Sequence, residues 1–320
     1  MKKSKRRGSA AQGRETEALA PVRDDMPTIQ WFPGHMKKAQ RLVEENLKLV
    51  DVVIELLDAR IPLSSANPML AEIIQDKPRV VALNKADLAD AERTRAWVAY
   101  FRSQGIAAVA VDASRGRGVK QLVQQVTELA RPRTEKFVKA GGRPRAARCM
   151  ILGIPNVGKS SLINRLAGAA ITKTADKPGV TRAKQWIKIG QGLDLLDTPG
   201  ILWPKFEDKQ VGLKLAFTGA VNDDIYDLEQ VTILLLEILR RDYVPRLVER
   251  FKLTGELPAT GAELLEAIGR KRGCLVRGGL VDTDKAMHIV MTEFRAGKLG
   301  QVTLDEIPQT GATDTADGEG

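Results

Sequence analysis

Cysteine is nearly missing from this chain. Its 320 residues hold two, Cys149 and Cys274, far apart in sequence. Two such residues supply neither a disulfide scaffold nor a zinc framework, so a reducing, cytoplasmic setting is expected. Aromatic residues make up only 4%. Stacking platforms for bases are therefore scarce, and any contact with nucleic acid must rest mainly on charge. No apolar run reaches the ~20 residues that cross a bilayer, and no membrane association is expected. The first twenty residues, MKKSKRRGSAAQGRETEALA, are basic but lack an apolar core, which argues against a secretory signal. Glu15 and Glu17 count against a mitochondrial presequence.

What is present is an ordinary globular balance, 43% hydrophobic and 28% charged, in a chain long enough for about two domains. The formal net charge is +10 and it is unevenly spread. Residues 1–50 hold 11 Lys/Arg against 6 Asp/Glu, and residues 131–148 hold 7 against 1. The stretch after Gly300 carries a net −5. Basic clusters of this kind attract a polyanion such as RNA, or they are simply solvated.

Along the chain, helix and strand patterns alternate. Met36, Ala39, Leu42, Val43, Leu47 and Val50 recur at three- and four-residue steps, which is one face of a helix launched by the WFPG turn at 31–34. DVVIELLDAR (51–60) is a continuous apolar run suited to a strand buried on both faces. Helices are predicted over 66–76, 90–104 and 117–130, and strands at VVALNK, IAAVAVDAS, CMILGI, KQWIKIG and GLDLLDTPG. Such alternation predicts an α/β fold, a mostly parallel sheet covered by helices. After about Pro204 the strand signals stop. Leu228, Val231, Leu234, Leu235, Ile238 and Leu239 form a helical stripe, and 261–269 and 283–297 also read as helices.

Four short motifs carry chemistry. GIPNVGKS (153–160) follows a strand and opens a helix, the context a phosphate-binding loop requires. Glycines let the backbone curl so that the N–H groups from Asn156, Val157, Gly158, Lys159, Ser160 and Ser161 can face phosphate oxygens. Lys159 is expected on the β- and γ-phosphates and Ser160 on Mg²⁺. DTPG (197–200) ends an apolar strand, which places Asp197 to hold Mg²⁺ through water and the Gly200 N–H to meet the γ-phosphate. PGVT (178–181) lies where a switch threonine belongs, making Thr181 a second Mg²⁺ ligand. NKAD (84–87) follows a buried strand. Guanine offers donors at N1 and N2 that one carboxylate can accept together, whereas adenine has an acceptor at N1. Asp87 therefore selects guanine, Asn84 bridges base and loop, and the Lys85 stem covers the ring. DAS (112–114) closes the set: Asp112, Ala113 and Ser114 form the next loop, with the Ala113 N–H assigned to guanine O6.

The guanine reader thus precedes the phosphate cradle. Read cyclically from Gly153, the order becomes phosphate loop, switch threonine, DTPG, NKAD and DAS, the usual order of a GTPase with the chain cut after DTPG. Domain termini commonly lie close together, so such a cut preserves sheet and site. The segment after DTPG then runs straight into the helical region, and nucleotide state is expected to reorient it. Scattering profiles of the GTP-analogue and GDP forms test that expectation.

With WFPGHM and LDAR (57–60) in front of these motifs, roughly residues 28–300 resemble the circularly permuted ribosome-assembly GTPases, most of all their bacterial large-subunit branch. The resemblance implies a circularly permuted P-loop GTPase domain (29–205) with a basic linker at 131–147. A small all-α domain (206–300) that binds RNA or the ribosome follows. A basic disordered arm (1–28) and an acidic disordered tail (301–320) flank them. It implies GTP/GDP and Mg²⁺ as ligands, a low intrinsic GTPase, and stimulation by the large ribosomal subunit precursor, its rRNA and proteins. A monomer is expected.

Many GTPases place Gln after the DxxG glycine, but this chain has Ile201, which cannot orient water. Two residues are candidates for the missing help. Asn156 matches a K⁺ ligand of related GTPases, or it stabilises the loop. His35 matches the family's candidate for orienting water, or it has a structural or RNA-contacting role. Trp31 and Phe32 either stack on RNA or pack on the sheet. RKRG (270–273) with Arg277 is either a phosphate contact or a solvated turn, and His288 is read as structural or exposed. Two rival functions stand beside the leading one: a small-subunit assembly GTPase, and a nucleotide-gated RNA-binding adaptor with incidental hydrolysis.

Overall fold

The structure is a computed structural model that describes residues 34–74, 77–168, 186–190, 192–196 and 208–308. The arm at 1–28, Trp31, Phe32, the PGVT and DTPG motifs and residues 309–320 lie outside the described residues.

Six strands form one sheet in the order β3-β2-β1-β4-β6-β5. The first three are β1 (Val52–Asp58), β2 (Arg79–Asn84) and β3 (Ala107–Ala110). The others are β4 (Ala147–Leu152), β5 (Trp186–Ile189) and β6 (Leu193–Leu196). All neighbours are parallel except β5 and β6. Every residue of β1 is buried, as a central strand of a covered sheet requires, including Glu55, which interrupts the apolar run and pairs with Arg79 at 3.2 Å. Alternate residues serve opposite faces. Val80, Ala82 and Val109 join one apolar cluster, while Val81, Leu83 and Ala108 join the other beneath Trp97 and Phe101. The two sequence halves meet along β1 and β4, in the register Val52↔Cys149 to Glu55↔Leu152. Their motif loops therefore leave the same edge of the sheet, the carboxyl ends of the strands, where ligands of parallel sheets bind.

Helix α1 (Gly34–Leu47) precedes β1, and α2 (Pro68–Ile74) links β1 to β2. Val43, Leu47 and Val50 of the predicted α1 face are buried. Helix α3 (Ala91–Ser103) starts at Asp90, whose carboxylate accepts from the N–H groups of Glu92 and Arg93. Helix α4 (Val119–Lys139) differs from expectation: it runs through Pro132 and takes in the first nine residues of the predicted linker. A proline removes one helical N–H, but Arg133, Glu135 and Lys136 beyond it have good helix propensity, and the helix continues. Helix α5 (Lys159–Ala167) follows the phosphate loop.

The C-terminal part is helical, as predicted: α6 (Lys209–Thr218), α7 (Leu228–Asp242), α8 (Val244–Phe251), α9 (Gly261–Lys271) and α10 (Thr283–Arg295). Thr260 and Glu263 form a capping box at the start of α9. On α7 the fully buried apolar residues are Val231, Leu235, Leu236 and Leu239, while Leu228, Leu234 and Ile238 are half-buried. One continuous buried cluster joins these helices to the sheet.

Residues 301–305 correct the expectation of a disordered tail beginning at 301. Val302, Thr303, Leu304 and Asp305 are buried. The Val302 N–H donates to the Leu88 carbonyl and the Leu304 N–H to the Arg60 carbonyl. Asp305 accepts from the N–H groups of Leu63 (2.8 Å) and Ser64 (2.7 Å), from the Ser64 hydroxyl and from Lys214. Composition misled here: the acidic count hides two apolar residues, and the buried aspartate satisfies a loop far away in sequence.

Candidate active site

The phosphate loop leaves β4 at Gly153 and ends at Gly158, which starts α5 at φ +100°. A Cβ at Gly153 would lie 2.6 Å from the Leu56 carbonyl oxygen, and one at Gly158 would lie 2.3 Å from Asn84 Nδ2. Both positions are closed to any side chain. Lys159 folds back so that its ammonium donates to the carbonyls of Gly153 (3.0 Å) and Ile154 (2.6 Å). It is in no ion pair among the described residues. Burial pulls its pKa down to about 8. A half-buried cation that, among the described residues, meets carbonyls and no acid, at the mouth of a helix N-terminus, fits a polyphosphate. The Ser160 and Ser161 residues are exposed in the first turn of α5.

Asn84 ends β2 and is buried. Its Nδ2 donates to the Val157 carbonyl at 2.8 Å, and its Oδ1 accepts from the Ala113 N–H at 3.1 Å. One side chain thereby ties NKAD to both the phosphate loop and the DAS loop. Arg165 of α5 adds a second tie, donating to the carbonyls of Ala113 (3.2 Å) and Ser114. Between α5 and the DAS loop lies an open cleft of about 350 Å³ lined by Ala113, Ser114, Ser161, Asn164, Arg165 and Gly168.

In the DAS loop the Ala113 N–H, the expected donor to guanine O6, donates to the Asn84 side-chain oxygen. The Ser114 N–H donates to no group among the described residues. Asp112 is turned inward and organises the loop, accepting from the Ser114 hydroxyl (2.6 Å) and the Arg115 N–H (2.9 Å). Burial would raise its carboxyl pKa, but these donors and the Arg115 guanidinium lower it. Asp87 accepts from Arg115 at 2.8 Å. This arginine is exposed on the loop.

Lys85 sits at φ +58° and its ammonium meets Asp58 at 3.0 Å. Asp58 also receives the backbone N–H, Nε and NH2 of Arg60. Burial alone would raise the Asp58 carboxyl, but Arg60 and Lys85 override it and hold it well below the usual carboxylate range. Burial lowers the Lys85 pKa, and Asp58 only partly offsets that. In LDAR, a family marker in the sequence, the charged residues that end the apolar strand signal this arrangement: Asp58 anchors the NKAD lysine and Arg60 holds Asp58.

Asn156, at φ +56°, donates from Nδ2 to the Gly219 carbonyl at the end of α6, 2.7 Å away. His35 is the second residue of α1. Thr181, Asp197, Gly200 and Ile201 lie outside the described residues. In the helical part, Arg272 is no free phosphate contact: it pairs with Glu293 at 2.8 Å and lies over the Phe251 ring. Arg270 pairs with Glu266, while Lys271, Arg277 and His288 are exposed.

Residues 148–250 match the family model described as "50S ribosome-binding GTPase". The match begins in β4 and leaves NKAD and DAS upstream of it, as a permuted order demands. Ribosome biogenesis GTPase A of Bacillus cereus is 54% identical over 277 residues, covering 87% of this chain and 93% of the relative. The chain belongs to the ribosome biogenesis GTPase A family. The protein of the same name from Priestia megaterium is 54% identical over 280 residues, covering 87% and 97%. Among solved structures, GDP-bound YlqF superposes with a TM-score of 0.57 at 28% identity, covering 83% of this chain and 98% of that one. The circularly permuted P-loop GTPase fold and a GTP-hydrolysing role in ribosome assembly follow from this membership, with a guanine nucleotide and Mg²⁺ as ligands. Among the described residues no helix is long and apolar enough to cross a membrane.

Proposed function

We propose that the protein is a GTP-driven assembly factor for the large ribosomal subunit, acting on its precursor rRNA and proteins. The observation that carries the nucleotide half of this reading is the Asn84 side chain, which locks the guanine-reading and phosphate-binding halves into one site. The basic clusters and the names of the relatives support the ribosomal half.

In this reading Asp87 accepts guanine N1–H and N2–H, exchanging Arg115 for the base. The O6 acceptor takes the Ser114 N–H in place of Ala113, while Asp112 and Ala113 shape the loop. Lys85, pinned by Asp58, lays its stem against the ring. The N–H groups of the loop from Asn156 to Ser161, with Lys159, hold the phosphates. Ser160, Thr181 and Asp197 would hold Mg²⁺, which neutralises charge across the β- and γ-phosphates when bound, and the Gly200 N–H meets the γ-phosphate. With Ile201 unable to orient water, His35 takes that part once the ribosomal particle is engaged, and Asn156 lends its Oδ1 to K⁺ near the transferred phosphoryl group.

Co-sedimentation with separated ribosomal subunits, in GTP-analogue and GDP forms, paired with multiple-turnover GTPase assays, tests the reading. Preference for the large subunit with the GTP analogue, and stimulated turnover, are expected. Preference for the small subunit refutes the large-subunit assignment. Binding without stimulation favours the RNA-binding adaptor.

A further inference from the structure

The buried stripe of α4 is Val119, Leu122, Val126 and Ala130, and it stops there. The remaining turns of the helix run past the core, with Arg131, Lys136 and Lys139 exposed. An unsupported helix end behind a proline is expected to fray, yet this one is braced. The Gly142 N–H donates to the Phe137 carbonyl, and Arg145 lies 5.1 Å over the Phe137 ring. Arg145 is itself fixed by both oxygens of Asp51, at 2.7 and 2.9 Å.

The charge on this braced end is in excess, with Glu135 the one acid among residues 131–148. Arg131, Lys136, Lys139 and Arg143 are exposed and in no ion pair among the described residues. Several arginines elsewhere are answered by acids, Arg79 by Glu55, Arg115 by Asp87, Arg250 and Arg272 by Glu293, Arg295 by Asp223, while Arg117 and Arg277 stand exposed and singly in no ion pair among the described residues. A helix C-terminus favours cations, which accounts for Lys136 and Lys139. It does not account for Arg131 or Arg143, nor for Lys77, which another segment brings to the same corner. The Lys77 ammonium donates to the Val50 carbonyl, and its pKa is lowered by burial and then by the neighbouring Arg133 guanidinium. Like charges gathered from two elements, on a stiff support, suit a polyanion of fixed shape.

This corner is at the far edge of the sheet from the nucleotide. Helix α4 begins beyond the carboxyl end of β3 and finishes ahead of Ala147, the amino end of β4, whereas the phosphate loop leaves β4 at its carboxyl end. We propose that the α4–β4 connection, the joint created by the permuted chain order, is a docking surface for the phosphate backbone of A-form RNA. It anchors the protein to its particle in either nucleotide state. The proposal rests on the reading above that the protein works on rRNA.

The test compares the full chain with R131Q/K136Q/K139Q/R143Q and with a control, R95Q/K120Q/K188Q/K298Q, that removes the same charge elsewhere. The probe is a short A-form RNA duplex, titrated across salt concentrations in GDP and GTP-analogue forms, with nucleotide affinity measured alongside as a check on folding. The joint variant is expected to lose about three to four from the slope of log K against log salt. The control should lose less than one, and nucleotide affinity should not change in either. No duplex binding by the wild-type chain, equal slopes in variant and control, or duplex binding confined to one nucleotide state overturns the proposal. So does tighter binding to phosphatidylserine vesicles than to the duplex. Co-sedimentation with large subunits separates the two readings. A wild-type chain that binds subunits no better than the joint variant does refutes the anchor alone. A chain that binds the duplex through the joint but ignores the large subunit refutes the large-subunit assignment and leaves the anchor standing.

Discussion

Asn84 and Val157 stand 73 positions apart in the chain, and a 2.8 Å hydrogen bond joins them. The same asparagine accepts from Ala113 on its other side. Removing it leaves a buried donor and a buried acceptor without partners. Asn84→Ala should therefore cost about 2–4 kcal/mol of unfolding free energy, read as a lower urea midpoint at unchanged slope. Guanine nucleotide affinity should fall with it. An unchanged midpoint would show that the two halves are held together by the sheet alone.

Lys159 makes nucleotide binding depend on pH. Its pKa in the free protein is pulled down to about 8 by burial. Phosphate oxygens favour the ammonium and raise that pKa in the complex. Below pH 8 the free protein already carries the proton. Above pH 8 binding must take one up, so GDP affinity should weaken by up to about tenfold per unit as pH rises. Calorimetry in buffers of different ionisation enthalpy counts the proton directly, and a flat affinity profile up to pH 9 would falsify this assignment.

Asp305 holds the segment after α10 against the loop that follows β1. Asp305→Ala leaves the half-buried Lys214 ammonium and two N–H groups unanswered, and about 3 kcal/mol of stability should be lost. Asp305→Asn keeps one acceptor oxygen and should lose less. Chemical denaturation of the two variants checks the order. Equal, near-zero losses would mean that the segment adds nothing to the fold.

His35→Ala should leave GTP binding intact and lower ribosome-stimulated turnover by about a hundredfold or more. Unchanged stimulated turnover rejects its catalytic role. Asn156→Ala should erase the difference between GTPase rates in KCl and NaCl. If Asn156 only braces the loop through Gly219, the variant lowers nucleotide affinity equally in both salts.

The residues themselves determined the parallel sheet, the central position of β1, the inverted order of reader and cradle, and the choice of guanine. Each of these rests on short-range spacing: an apolar run interrupted only at Glu55, glycines at fixed offsets, the NKAD motif after a buried strand. Tertiary structure alone decided the rest. Whether Ala113 or Ser114 has a free N–H depends on Asn84, which comes 29 positions earlier. Whether Lys85 is held depends on Asp58, and the burial of 302–305 depends on loops more than two hundred residues upstream. Each backbone N–H has one proton to give, and each buried charge needs an answer. Those accounts close only between segments that no sequence periodicity connects.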